Sequence, residues 1–272
     1  MSVKTEASGR RWIEVEVEVP GTPEQVWQAI ATGPGVSSWF VPTEIRDDGT
    51  VVSHFGAGMD AVAKTTLWDP PRRFAAESSY MGPDAPKMGT EWIVEGRSGG
   101  TCIVRVVHSL FASTDDWDKE LESAESGWPG FFRVLKLYLT HFPGQSCTAI
   151  QLFGFASGPE PSAWEALTRP LGLTSASAGE RRAAPVGAPP FGGIVEAAGD
   201  SKHPHVLLLR LDDPAPGILS LGAHSMGDQV LVSANLYFYG DRAAAVVARD
   251  EQIWQTWMNE RFPAGAIPSA CV

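Results

Sequence analysis

The feature that most constrains the fold of this chain is an internal repeat. Residues 12–30 and residues 149–167 can be aligned so that apolar and glycine positions coincide. In this alignment the pairs are Ile13 with Ile150, Val15 with Leu152, Gly21 with Gly158, Trp27 with Trp164, and Ile30 with Leu167. Such a repeat predicts two similar domains in tandem. The length of 272 residues is sufficient for two domains of ordinary size.

Each copy is predicted to begin with a strand and a helix. Residues 12–19 alternate strictly between apolar and acidic side chains after Trp12, which is typical of a half-buried antiparallel strand. Thr22 then occupies an N-cap position, Pro23 the first helical position and Gln25 the capping-box position. We therefore predict a helix that starts at Pro23 and packs through Val26, Trp27 and Ile30.

The remainder of the first copy is predicted to be a meander followed by a helix. Between residues 44 and 110, short β-branched and aromatic runs are separated by Gly-, Pro- and Asp-containing turns, which predicts antiparallel strands. Residues 36–40 suggest a short helical turn before Pro42. Residues 128–141 have apolar side chains at helical spacing and predict a long helix.

The second copy follows the same plan with losses. Residues 229–239 are similar in pattern to residues 101–111, and residues 243–261 predict a final helix. Residues 174–190 are rich in Ala, Gly, Pro and Ser, and predict a flexible loop where the first copy has strands. We expect the second domain to be a reduced version of the first.

The charge and cysteine content exclude several classes of function. The formal net charge of -11 disfavours binding to nucleic acid or to anionic membrane surfaces, because both need clustered Lys and Arg. Cys102, Cys147 and Cys271 have no paired spacing, so neither a disulfide framework nor a zinc site is indicated. Because no run has the apolarity of a signal peptide or a membrane span, we expect a cytoplasmic protein.

Several short motifs resemble those of a known family. They are residues 22–30, Trp39 with Phe40, residues 68–74, residues 101–109, and Gly127-Trp128 followed by residues 135–139. In this order they are similar to the START-like (SRPBCC) superfamily. Within it they resemble the bacterial branch related to the activator of heat-shock-protein-90 ATPase. The resemblance covers about residues 11–143, and the second half matches only weakly.

The resemblance implies an α+β chain with two tandem helix-grip domains, at residues 11–144 and 145–263. In a helix-grip domain a curved antiparallel sheet wraps around a long C-terminal helix and leaves a cavity between them. Family members bind lipids, aromatic polyketides or other apolar small molecules in that cavity, and some relatives cyclise or hydrolyse what they bind.

His108 is the leading polar candidate for the predicted cavity. It shares its strand parity with Cys102, Val104 and Val106, which places it on the apolar face. The alternative is a core histidine bonded to a backbone carbonyl. As a group the large aromatic residues favour an apolar or aromatic ligand, although each one taken singly more often fills the core. The candidate cavity residues are Trp39, Phe40, His54, Phe55, Trp68, Tyr80, Trp92, His108, Phe111, Phe131, Leu135 and Tyr138.

Two motifs in the second half imitate catalytic or metal sites. Residues 222–227 resemble the nucleophile elbow of an α/β-hydrolase, but the catalytic histidine of that fold follows the serine, and His224 is the last histidine in the chain. We therefore predict that Ser225 is a turn residue. Residues 202–205 contain two histidines without a carboxylate or thiolate at ligand spacing, which favours a surface loop. We predict no metal and no cofactor.

Three functions remain open. The leading hypothesis is a non-catalytic or weakly catalytic protein that binds an apolar or aromatic small molecule in the first domain. The second is an enzyme of the aromatase/cyclase or hydrolase kind that uses the same cavity with a polar pair such as His108 and Tyr80. The third is a co-chaperone or protein-interaction module. A duplicated chain can act as its own dimer, so we expect a monomeric pseudo-dimer.

Overall fold

The computed structural model describes residues 3–56, 60–78, 86–112 and 114–263. The chain divides into two units, and the boundary lies between Gly144 and Gln145. We call the part before this boundary unit 1 and the part after it unit 2. Each unit is α+β, with one antiparallel sheet and a long helix that follows the last strand.

The described residues of unit 1 form an eight-stranded sheet and three helices. Its strands are β1 (Lys4–Thr5), β2 (Arg10–Pro20), β3 (Thr43–Ile45), β4 (Thr50–His54), β5 (Asp60–Asp69), β6 (Arg73–Ser78), β7 (Met88–Arg97) and β8 (Thr101–Phe111). Its helices are α1 (Pro23–Ala31), α2 (Gly33–Ser37) and α3 (Asp118–His141). The order β1-β2-β8-β7-β6-β5-β4-β3 places the first long strand beside the last one.

Local signals in the sequence determine the start of unit 1. Strand β2 covers the predicted alternating segment. The Thr22 side chain accepts a hydrogen bond from the Gln25 backbone N–H at 3.4 Å, and Gln25 Oε1 accepts one from the Thr22 N–H at 2.9 Å. The predicted capping box at the start of α1 is therefore confirmed.

The two faces of the unit 1 sheet differ in chemistry. On one face, which we call the inner face, Val15, Val106, Trp92 and Phe74 lie opposite one another across four strands. The other face is charged, and there Arg105 forms ion pairs with carboxylates of the neighbouring strands β2 and β7. The alternation of apolar and charged residues thus separates a core face from an outer face.

Helix α3 is longer than the spacing predicted. It begins at Asp118 rather than near Trp128, and it continues through Pro129. Two contacts hold the additional turns: Leu121 is completely buried, and the Arg11 guanidinium donates to both oxygens of Asp118 at 2.6 and 2.5 Å. The prediction failed because these stabilising contacts are tertiary, whereas the local sequence is acidic and contains Gly and Pro.

In its described part, residues 145–263, unit 2 forms a six-stranded sheet and two helices. Its strands are β9 (Cys147–Ala156), β10 (Arg181–Ala183), β11 (Gly192–Ala198), β12 (Val206–Asp213), β13 (Gly217–Met226) and β14 (Gln229–Tyr239), and its helices are α4 (Glu160–Thr168) and α5 (Ala243–Arg261). The sheet order is β10-β11-β12-β13-β14-β9. As in unit 1, the first long strand pairs with the last.

One prediction for unit 2 needs correction. Within the segment 174–190, which was expected to be a flexible loop, Arg181–Ala183 forms β10 and pairs with β11 at the edge of the sheet. The exposed pair of Arg181 with Asp212, at 2.7 Å, accompanies this pairing. In the part of the chain that the structure describes, no helix combines the length and the apolarity needed to cross a membrane.

Candidate functional site: an aromatic layer in unit 1

Six rings lie in contact between the inner face of the unit 1 sheet and helix α3. We call them the aromatic layer: Phe40, Trp92, His108, Trp128, Phe131 and Phe132. The Trp128 ring is nearly parallel to that of Phe40, at 5.4 Å between centroids and 21°, and to that of His108, at 5.6 Å and 22°. Trp92 meets Trp128 edge-on at 5.0 Å. Trp128 is therefore the central ring.

The short helix α2 positions one side of the layer. Trp39 follows α2, is completely buried, and donates a hydrogen bond from Nε1 to the carbonyl of Ala29 in α1 at 2.9 Å. This bond fixes the segment that carries Phe40. Phe40 then contacts Phe131 of α3 edge-on at 4.5 Å. The residues between α1 and β3 thus bring an aromatic wall against α3.

A chain of hydrogen bonds runs through the polar part of the layer. Thr90 and His108 are direct partners across β7 and β8, and Thr90 Oγ1 lies 3.0 Å from His108 Nδ1. Trp128 Nε1 donates to His108 Nε2 at 2.7 Å. Because the indole can only donate, Nε2 must accept, and the histidine proton therefore resides on Nδ1 and is donated to Thr90.

Burial keeps His108 neutral. It lowers the pKa of His108 to about 4, because the charged imidazolium would lose its hydration in this environment. Both ring nitrogens already have partners in the protein. His108 is hydrogen-bonded to two side chains, Thr90 and Trp128, rather than to a backbone carbonyl.

The structure brings five of the predicted site residues together. Phe40, Trp92, His108 and Phe131 belong to the aromatic layer, and Trp39 contacts Trp92 edge-on at 6.0 Å. Phe55 lies at the margin, where its ring meets that of Phe40 at 5.8 Å and remains 39% exposed.

Other predicted site residues lie elsewhere. Phe111 is 64% exposed because it has the opposite strand parity to His108, so the same alternation that points His108 inward points Phe111 outward. His54 is on the outer face, where Nδ1 lies 2.7 Å from Asp60. Trp68 is 46% exposed and packs on Trp27 and Phe74. These three residues do not join the layer.

The last predicted residues are on α3 or outside the described ranges. Leu135 and Tyr138 are buried on α3, but at a helical rise of about 1.5 Å per residue they lie roughly 10 and 15 Å along the axis from Trp128. Tyr80 lies outside the described residues.

Three residues of the site were not among the predicted ones. Thr90 lies two positions before Trp92 on the same strand, so the period-two rule places it on the same face. Trp128 and Phe132 are four residues apart on α3 and share one side of the helix. Strand parity with Trp92 identifies Thr90, and helical spacing beside Phe131 identifies Trp128 and Phe132, so sequence patterns could have found all three.

Two surface hollows of unit 1 are separate from the layer. One of about 510 Å³ is lined by the β1–β2 turn, at Thr5, Glu6, Ala7, Ser8, Gly9, Arg10, Arg11 and Ala112. Another of about 250 Å³ is lined by Glu77, Pro86, Lys87, Gly89, Ser109 and Phe111. Neither is lined by a ring of the aromatic layer.

In unit 2, the two motifs that resemble metal or catalytic sites, residues 202–205 and residues 222–227, both contact the carboxylate of Glu160. Glu160, the first residue of α4, has Oε1 at 2.7 Å from His205 Nδ1, and its Oε2 accepts from the Ser225 backbone N–H at 2.9 Å and from its hydroxyl at 2.7 Å. Burial raises the pKa of Glu160, but these hydrogen bonds outweigh it, so the net pKa is lowered. The prediction of a turn at Ser225 was wrong, since it lies in β13.

This cluster does not have the geometry of a catalytic triad. In a triad the histidine lies between serine and carboxylate, whereas here Glu160 lies between Ser225 and His205. Among the residues that the structure describes, no group of three or more His, Cys, Asp and Glu side chains is placed to hold a metal ion. The cluster instead joins the start of α4 to the ends of two strands.

Comparisons with known proteins give structural neighbours only. No protein-family model and no curated protein matches the chain. Similar solved structures include the di-domain ARO/CYC protein BexL from the BE-7585A biosynthetic pathway, at 16% identity and a TM-score of 0.43, with 95% of this chain and 100% of that chain covered. DynU16 from the dynemicin biosynthetic locus is similar at 17% identity and a TM-score of 0.42, with coverages of 90% and 94%.

A third neighbour matches about half of the chain. It is the Aha1 dimer from Colwellia psychrerythraea, at 21% identity and a TM-score of 0.39, which covers 47% of this chain and 95% of that chain. At such identities the likeness does not indicate a ligand or a reaction.

Proposed function

We propose that unit 1 binds a planar, apolar small molecule at the aromatic layer, and that both units are helix-grip domains. The observation that carries this proposal is the layer itself, in which the segment after α2, the sheet and α3 contribute rings that surround Trp128. Ligand sites for apolar molecules are typically lined by aromatic side chains with a few placed polar groups.

The layer reaches the surface on one side. Phe40 and Phe131 are half-buried, and Phe55 beside them is partly exposed. An apolar molecule that enters here would meet ring faces and edges, and the polar atoms nearby are already paired with one another. This chemistry favours flat hydrocarbon-like surfaces over sugars or phosphates, whose polar groups would lose their hydration without compensation.

Binding is preferred to catalysis because of the state of His108. A general base needs a free nitrogen within reach of the substrate and a pKa near the working pH. His108 has neither, since Thr90 and Trp128 occupy its nitrogens and its pKa is about 4. We therefore assign His108 a structural and binding role.

A thermal-shift screen with planar aromatic compounds, such as naphthols, flavones and anthraquinones, tests the proposal. We expect at least one compound to raise the melting temperature of the wild type, because a ligand that binds only the folded state stabilises it. Phe40→Ala removes one wall of the layer and should weaken that compound's binding by about tenfold or more, which corresponds to ~1.4 kcal/mol.

Trp68→Ala is the matched control, because it deletes an aromatic ring of unit 1 that lies outside the layer. It should bind the same compound as the wild type does. The proposal fails if no compound stabilises the wild type, or if Trp68→Ala loses as much affinity as Phe40→Ala.

A further inference from the structure

Trp128 occupies the centre of the candidate site as a ligand would. Its ring is flat, it lies nearly parallel to Phe40 and His108, and Trp92 and Phe131 contact it at steep interplanar angles. Its one polar atom, Nε1, donates a hydrogen bond to His108. The side chain therefore displays both properties of an aromatic ligand held by this layer, namely stacking and a donated hydrogen bond.

The helix that carries Trp128 is weak at that point. Gly127, Pro129 and Gly130 surround it, within α3. Pro129 cannot donate the backbone hydrogen bond to the carbonyl four residues earlier, and each glycine costs about 1 kcal/mol of helix propensity. Among the described residues, no neighbour lies within 4 Å of the position that a Cβ would take on Gly127 or Gly130, so their packing does not demand glycine at either place.

The hydrogen bond defines what could replace Trp128. Because Trp128 Nε1 donates to it, His108 Nε2 is an acceptor, and the proton on Nδ1 is donated to Thr90 Oγ1. A molecule that takes the place of the indole leaves this acceptor unpaired unless it brings its own donor. A buried acceptor without a donor lowers the binding free energy that a ligand can gain, so the site favours ligands with an O–H or N–H group.

We propose that Trp128 is an internal plug, and that the ligand which displaces it is a planar aromatic molecule with a hydroxyl or N–H donor at its rim, bound through His108 Nε2. This inference rests on the proposed function and names the ligand class of the same site. The weak helical segment at Gly127, Pro129 and Gly130 lets the plug leave without unfolding the sheet.

Removal of the plug gives a direct test. In Trp128→Ala, free indole should bind in the vacated space and raise the melting temperature. Benzofuran has nearly the same shape but no N–H donor, and it should bind about five- to tenfold more weakly, since one hydrogen bond is lost. In the double variant with His108→Leu, the two compounds should bind equally.

Trp27→Ala is the matched control. It also deletes a buried tryptophan of unit 1, but Trp27 packs against Trp68, outside the layer. Any binding of indole to this variant should show no preference over benzofuran. Equal binding of the two compounds to Trp128→Ala, or an equal preference in Trp27→Ala, would overturn the inference.

Trp128→Phe covers the case in which the alanine variant does not fold. It retains an aromatic ring but removes the donor, so His108 Nε2 becomes available. We expect 1-naphthol to bind this variant several-fold more tightly than it binds the wild type, and naphthalene to gain less. No difference between the gains of the two compounds would contradict the inference.

The wild type separates this inference from the proposed function. If the wild type binds flat aromatic compounds but with no preference for donors, the proposed function stands and the plug is refuted. If the wild type binds none of them, the proposed function is refuted and the plug with it, because no ligand then displaces Trp128; indole binding to Trp128→Ala would in that case report only the vacated space.

Discussion

The two units differ most clearly at one matched position inside their sheets. In unit 1 Ile13 pairs with His108, and in unit 2 the corresponding Ile150 pairs with Leu236. The next strand repeats the contrast, because Thr90 faces His108 while Leu219 faces Leu236. Both leucines are fully buried. The fold therefore does not need a histidine–threonine pair here, which points to a role of that pair other than stability.

The helices show the complementary difference. Trp128 of α3 has its indole N–H bonded to His108, whereas Trp254 and Trp257 of α5 have buried Nε1 atoms without a hydrogen-bond partner among the described residues. The helix indoles of unit 2 therefore lack a hydrogen-bond acceptor among the described residues, whereas His108 provides one for Trp128 in unit 1. This contrast locates the candidate site in unit 1 by chemistry as well as by the number of rings.

The largest effect is expected when Leu236 and His108 are each replaced by the residue found at the matched position of the other unit. Leu236→His places a polar ring among leucines and should destabilise unit 2 by ~3 kcal/mol or more. The reverse change, His108→Leu, should cost unit 1 less, about 1–2 kcal/mol, because leucine suits the apolar face but leaves the Trp128 N–H without its acceptor. Urea unfolding measures the totals, and hydrogen exchange in β14 and β8 assigns them to the units.

If Leu236→His does not destabilise unit 2, the proposed chemical difference between the two matched positions is wrong. In that event an indole of α5 would have donated to the new imidazole, and the two units would be chemically equivalent at this position. Leu236→Met, which keeps the volume and adds no strong polar group, is the control and should cost less than ~1.5 kcal/mol.

His108 also makes the stability of unit 1 depend on pH. His108 has a folded pKa of about 4 against an ordinary value of 6.5, so below pH 6.5 the unfolded chain binds a proton that folded unit 1 does not. The contribution of His108 to stability is therefore complete above pH 6.5 and is lost as the pH falls toward 4. Between pH 7 and pH 4.5 the loss should be on the order of 2 kcal/mol.

Urea midpoints of the wild type and of His108→Leu at the two pH values measure this loss. Subtraction of the variant removes the contribution of carboxylates that titrate in the same range. If both proteins lose the same stability on acidification, His108 does not have the low pKa that its burial implies.

Unit 2 has a polar cluster of its own, which should prove structural. Glu160→Gln keeps the size of the side chain but removes the charge that accepts from His205 and Ser225. We expect unit 2 to lose ~1.5 kcal/mol, because hydrogen bonds to charged groups are worth more than neutral ones. Thermal unfolding measures the loss, and ligand binding by unit 1 should be unaffected. A loss of binding would show that the site is not confined to unit 1.

Local sequence patterns predicted the helices and strands of both units better than they predicted the candidate site. The capping box of Thr22 and the bounds of α5 follow from nearby residues alone. The first turns of α3 depend on the distant partner Arg11, and no local pattern shows that contact. Alternation predicted the inward direction of His108, but its two partners come from a neighbouring strand and from α3, so the bonded state could not be inferred.

The smallest expected effect concerns the weak segment of α3. Gly130→Ala should stabilise unit 1 by ~0.5–1 kcal/mol, because alanine favours the helix and the added Cβ meets no neighbour. If displacement of Trp128 requires this segment to open, the same change should slow ligand association, which stopped-flow tryptophan fluorescence can measure. Ser123→Ala in the exposed part of the same helix is the control. It should raise stability slightly and leave the association rate unchanged. If both variants slow association equally, ligand association does not depend on opening of the segment around Trp128.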